Sequence, residues 1–235
     1  MGTIIDDSPP EADQTGLFMT TFPVGPLQCN CTIIGDRTSG EALVVDPGGD
    51  GQLILDTLVD HGLSRVVRII HTHAHFDHFL AAGHVQAEAA KRCGCAVPIG
   101  LHKEDKPLWD NLEAQCARFS IPYTPPPPVD DWLADEEELT LPGCPTLKGV
   151  ALHTPGHTPG SMSFYFEAQK LLVAGDTLFR GSIGRTDLWG GDYAAIERSI
   201  KQRLYTLDEA TEVITGHGPL TTLGFEMRHN GFVTA

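Results

Sequence analysis

Apolar positions recur along this chain in two blocks, each running from strand-length stretches into helical spacing, with a polar, proline-rich connection between them. In the first block, residues 17–24, 27–34 and 42–45 are separated by Gly, Pro or Asp, which predicts three strands in an antiparallel opening. Pro47-Gly48-Gly49 forces a turn, after which Leu53, Ile54, Leu55, Leu58 and Val59 follow helical spacing until Gly62 stops them. Val66-Val67-Arg68-Ile69-Ile70 reads as a buried strand, and the alanine-rich stretch 80–91 as a helix ending near Gly94. A short strand at 96–99 and a helix over 108–119 follow. Pro125 to Pro128 exclude helix and central strand and predict an extended connection, and the acidic residues between Asp130 and Glu138 predict a solvated face or turn. Alternation resumes at 146–152, 161–166 and 170–174 with no long helix between, a second antiparallel sheet. A helix over 193–204 and a strand at 212–215 complete the block. Periodicity alone therefore gives a mixed α/β protein in two comparable halves.

Composition adds limits. A chain of 235 residues, 41% hydrophobic, is long enough for one domain with a proper core. Residues 16–235 are expected to form that domain and residues 1–15, acidic and proline-containing, a flexible tail. A formal charge of -15 disfavours nucleic acid as a partner, because gripping phosphates needs clustered Lys and Arg. No apolar run approaches the ~18 residues of a membrane span, and the start lacks the basic-then-apolar order of a leader. The expectation is a cytoplasmic protein without a membrane partner. Its six cysteines are then expected as reduced thiols, and neither Cys29-x-Cys31 nor Cys93-x-Cys95 has the Cys-x-x-Cys spacing of a zinc finger or redox pair.

Candidate chemistry centres on His73-Ala74-His75-Phe76-Asp77-His78, directly after the apolar run ending at Ile70. Four potential metal ligands in six residues sit where a strand gives way to a loop, and imidazoles mixed with carboxylate suit zinc, iron or manganese rather than a thiolate structural site. Three further candidates, His157, Asp176 and His217, each follow a glycine at the end of an apolar run, where close backbone approach or a positive φ can aim the next side chain inward. Five His and two Asp are too many for one tetrahedral ion, so two divalent ions are the natural reading.

These motifs, together with Gly175-Asp176-Thr177-Leu178-Phe179 and Gly216-His217-Gly218, resemble the metallo-β-lactamase superfamily, and within it the short bacterial hydrolases similar to glyoxalase II (hydroxyacylglutathione hydrolase). The resemblance implies a four-layer αββα sandwich with the ligands on loops at one edge. It implies one metal held by His73, His75 and His157, a second by Asp77, His78 and His217, and Asp176 bridging them. His71 and His153 fall outside the pattern and read as supporting or plain strand residues. Asp46 reads as a cap or turn residue, or, as in the family, as one lying beneath the ligands. The implied activity is hydrolysis by a metal-activated water, with S-lactoylglutathione-like thioesters as the small-molecule partner, since a thiolate leaves without strong acid help. Asp77 would serve both as ligand and as acceptor of a proton from the attacking water. Two zinc ions are the expected cofactors, iron or manganese the alternatives. Arg185, in a Gly-Arg-Thr-Asp segment that also resembles this branch, either pairs with Asp187 to lock its loop or meets a substrate carboxylate. The helical C-terminal extension of the larger glyoxalase II enzymes has no counterpart in the 18 residues after His217. The alternative activity is that of persulfide dioxygenases, which share the fold and would place a single iron on His73, His157 and Asp176; the additional ligands here favour hydrolysis. Lactone, lactam and phosphodiester cleavage use the same activated water and remain open.

Overall fold

Neighbouring residues of a strand point to opposite faces, and where both faces are apolar the strand must lie between two packed layers. The computed structural model describes residues 16–235, and the tail expected at 1–15 lies outside the described residues. Strands β1 (Leu17–Val24), β2 (Cys29–Asp36) and β3 (Glu41–Val45) pair antiparallel. Helix α1 (Gly51–Asp60) leads to β4 (Arg65–Ile70) and α2 (Ala82–Cys93) to β5 (Ile99–His102); β4, β5 and β6 (Asp131–Leu133) extend the sheet in parallel. The second sheet begins with β7 (Glu138–Leu141), β8 (Cys144–His153), β9 (Met162–Phe166) and β10 (Leu171–Gly175), all antiparallel. A small hairpin of β11 (Leu178–Phe179) and β12 (Ser182–Ile183) precedes β13 (Glu212–Thr215), which joins β10 in parallel, and the edge strand β14 (Thr221–Thr222).

Three apolar clusters separate four layers. Ile34, Leu43, Val45 and Ile70 of the first sheet meet Ala151, Met162, Phe164, Phe166 and Val173 of the second. Their immediate neighbours Ile33, Val44 and Ile69 face outward onto Ile54, Leu55 and Leu58 of α1 and Val85 of α2. On the far side Leu172, Ala174 and Val213 pack against Ile196, Ile200 and Leu204. This is the αββα sandwich, and the parallel segments explain why Ile69 and Ile70 are both buried.

Four expectations need correction. The helix expected over 108–119 is two, α3 (Lys106–Trp109) and α4 (Leu112–Arg118), because Asn111, whose side-chain amide donates to the Pro107 carbonyl at 2.8 Å, occupies the break. The helix expected over 193–204 is α-helical in α5 (Tyr193–Ser199) and then widens into a π-turn, with Tyr205 N–H donating to Ile200. The acidic stretch is not merely a solvated face: Asp131 and Glu137 both pair with the half-buried Arg68 of β4, and Asp130 accepts the Ile99 N–H at 2.8 Å, so the run closes the edge of the first sheet. Cys93 and Cys95 are disulfide-bonded rather than reduced, Gly94 between them adopting φ 64° with the two Cα atoms 5.3 Å apart, within bridging reach. Cys29, Cys31, Cys116 and Cys144 are free and buried. Among the described residues no helix is long and apolar enough to cross a membrane.

Candidate metal centre

The seven candidate residues lie on four loops that leave strands at one edge of the sandwich: the segment after β4, the loops after β8 and β13, and the end of β10. Glycines permit this convergence where a side chain would not. Gly156 and Gly175 take φ of 136° and 52°, and a Cβ on Gly216 would collide with the carboxylate of Asp176.

Two groups of donor atoms form. Nδ1 of His75 lies 3.0 Å from Nε2 of His73 and 3.0 Å from Nε2 of His157. Asp77, His78 and His217 form the second group, with Nε2 of His217 3.1 Å from Asp77 Oδ2. Asp176 spans both: Oδ2 is 3.5 Å from His157 Nε2, and Oδ1 is 3.6 Å from His78 Nε2 and 3.9 Å from His217 Nε2. Ligands bound at about 2.0 Å in a tetrahedron stand about 3.3 Å from one another, so these spacings suit ions at the centre of each group.

On the His78, His157 and His217 rings Nδ1 is held from outside, which turns Nε2 towards the donor groups. His157 Nδ1 donates to the Arg185 carbonyl at 2.8 Å, His217 Nδ1 to the Leu27 carbonyl at 3.0 Å, and His78 Nδ1 lies 3.0 Å from Asp46 Oδ2. Such outer partners choose the tautomer of a metal-binding imidazole. The inner atoms are left orphaned: His78 Nε2 and Asp176 Oδ1 are buried without a hydrogen-bond partner. Buried polar atoms of this kind are costly unless something charged meets them, and a divalent cation fits.

Asp46 lies beneath the candidate ligands. It adopts φ 51°, accepts the Thr72 N–H and hydroxyl at 2.8 and 2.7 Å, and faces His78. His71 is fully buried, donates from Nδ1 to the His78 carbonyl at 3.1 Å and stacks on Phe79. Arg185 makes a two-pronged exposed pair with Asp187 at 2.8 and 2.9 Å, while its carbonyl holds His157. Two residues escaped the sequence reading. Asp105 accepts from Ala74 N, Gly160 N and Thr158 Oγ1, tying the loop of His73 to that of His157. Asn30 donates to the carbonyls of Thr215 and Gly218 on either side of His217. Nothing near either marks it: Asp105 sits in Lys103-Glu104-Asp105-Lys106, which looks like charged surface.

Electrostatics differ between the two groups. Burial, reinforced by the neighbouring rings, holds His73 well below the usual imidazole value and His75 down to about 3, so both are neutral at physiological pH. In the second group burial acts the same way but is outweighed: the Asp77 hydrogen bond and Asp176 raise His217, while Cys29, Asp46 and Asp77 raise His78, and His78 with His217 lowers Asp77. The Cys29 thiol, which burial pushes up to about 12, is uncharged near neutrality, leaving the carboxylates as the source of the effect on His78. A cation entering the second group must displace protons that the first group does not hold. On lowering the pH from 8 towards 5, the second group's cation is therefore expected to leave first, as His78 and His217 protonate. Metal content after dialysis at stepped pH checks this; loss of all metal in one step contradicts it.

Paired sheets with helices outside, and His and Asp donors converging at one edge, define a metallohydrolase fold. The chain belongs to the metallo-β-lactamase superfamily, whose family profile matches residues 24–217. It is 35% identical to the hydroxyacylglutathione hydrolase GloC of Haemophilus influenzae over 91% of this chain and 97% of that one. Among solved structures it is similar to the BLEG-1 B3 metallo-β-lactamase, with TM-score 0.80 and 38% identity over 93% of this chain and 100% of that one. It is likewise similar to TTHA1623, solved in a di-iron-bound form, with TM-score 0.76 and 36% identity over 91% and 100% of the two chains.

Proposed function

We propose that this chain is a dinuclear metal-dependent thioesterase cleaving hydroxyacyl thioesters of the S-lactoylglutathione kind. The observation that carries this reading is the Asp176 carboxylate reaching both donor groups, one oxygen to each. We assign His73, His75 and His157 to one ion and Asp77, His78 and His217 to the other, with Asp176 bridging. Zinc is the first choice; the similarity to a protein solved with two irons supports iron as the alternative, with manganese after it.

When bound, the cations supply polarisation of the scissile carbonyl and activation of water at neutral pH. The chain's own residues do the rest. His73, His78 and His157 are buried, whereas His75, Asp77, Asp176 and His217 are partly exposed, so substrate approaches over these four. Asp77, lowered by its histidine neighbours, is ionised and can accept a proton from the attacking water. Release of a thiolate needs no strong acid. Arg185, engaged by Asp187, fixes the loop whose carbonyl orients His157.

Similarity to a hydroxyacylglutathione hydrolase supports the thioester. Similarity to a B3 metallo-β-lactamase supports lactam cleavage as the second reading. Protein loaded separately with zinc, iron and manganese is to be assayed on S-lactoylglutathione, a chromogenic β-lactam and a glutathione persulfide. Thioester turnover of ~1 to 10³ s⁻¹, lost on chelation and regained on reloading, is the expected result. No thioester turnover in any metal form overturns the assignment, and lactam or persulfide turnover in its place selects the corresponding alternative.

A further inference from the structure

β5 and β8, from different sheets, end side by side, and their last residues are both histidines. The rings of His102 and His153 stack with centroids 4.2 Å apart, and Glu104, two residues beyond the end of β5, brings Oε2 to 3.9 Å from His153 Nε2. One donor atom from each of the three side chains lies within 4.8 Å of the others. His102 is buried, and burial with His153 nearby holds it down to about 4, so its ring is neutral at physiological pH. Glu104 is half exposed, free to swing the short distance that closes the group onto one ion with bonds of about 2.0 to 2.2 Å. Two imidazoles and a carboxylate are a donor set for zinc or a similar borderline cation, with water completing the coordination.

We propose that His102, Glu104 and His153 form an accessory divalent-cation site, separate from the centre at His73 to His217, that clamps the ends of the two sheets together. Its position bears on the main centre. His153 Nε2 donates to the Pro159 carbonyl at 2.8 Å, two residues after His157, and Asp105, adjacent to Glu104, holds Ala74 and Gly160. A cation on His153 Nε2 replaces the Pro159 hydrogen bond, whereas one on Nδ1 leaves it in place.

The test is zinc content after equilibrium dialysis of the whole protein against low-micromolar zinc, in wild type, Glu104→Ala and His153→Gln. Glu104→Ala changes a half-exposed side chain and spares the fold. Wild type is expected to hold one zinc more than each variant. Because the readout is this difference, it does not depend on how many ions the main centre takes or on what reaction it performs. A full wild-type complement in Glu104→Ala overturns the site, whatever His153→Gln shows. Zinc added beyond the main-centre complement is also expected to raise the thermal midpoint of wild type and not of Glu104→Ala; equal shifts overturn the clamp.

Discussion

Replacing Asp176 with alanine is expected to lower kcat for thioester hydrolysis about 10³-fold or more, equivalent to about 4 kcal/mol of transition-state stabilisation, while the protein stays folded. Among the described residues Asp176 is the one side chain whose two oxygens reach separate donor groups, and Oδ1 makes no hydrogen bond that would be lost. Its removal unlinks the two groups without opening a core, since β10 is packed by Leu171 to Ala174 and not by this residue. Metal content is expected to fall with activity, by up to one ion per chain. Retention of activity within tenfold of wild type would rule out a bridging role and, with it, the assignment of the two ions made above.

Asp105→Ala is expected to cost about 3 kcal/mol of stability, read from the urea midpoint, because it leaves the buried N–H groups of Ala74 and Gly160 without an acceptor. Thr158 is less affected, having the Ser161 hydroxyl at 2.8 Å as a second partner. A loss this size is a large part of the total for a protein whose stability is ordinarily about 5 to 15 kcal/mol. Activity should fall as well, since the same carboxylate keeps the segments bearing His73 and His157 in register. Asp105→Asn, which keeps one acceptor oxygen, should lie between. A destabilisation below about 1 kcal/mol in the alanine variant would mean that water or a local shift satisfies the freed donors.

Strand and helix positions and the candidate ligands were legible in the sequence because both are local. Two-residue alternation, turn glycines and a cluster such as His73 to His78 are written within a few positions, and a histidine or aspartate after a glycine at a strand end needs no partner to be noticed. The two sheets were likewise visible as two blocks of short strands. What the alternation in β2, β3 and β4 could not say is which face of each strand meets the other sheet and which meets a helix. Ile33 and Ile34, or Ile69 and Ile70, are equivalent until the second sheet is in place.

Residues that act across the fold were illegible for the same reason. Asp105 meets partners 31 to 55 positions away and Asn30 partners more than 180 away. His153 lies some 50 positions from His102 and Glu104 and meets them only because β5 and β8 end together. The charged run at 130–138 looked solvated because Arg68, which it meets, lies some 60 positions earlier, between apolar residues of β4. Cys93 and Cys95 read as separate thiols because nothing in their spacing announces the left-handed Gly94 that brings them together. Sequence by itself determined the elements, the ligand candidates and the reaction class they suggest, all encoded in short-range pattern. Tertiary structure alone decided which faces are inside, which nitrogen of His78, His157 and His217 turns towards the donor groups, and which distant carboxylates and amides hold the site, because those depend on contacts between segments that the chain order keeps apart.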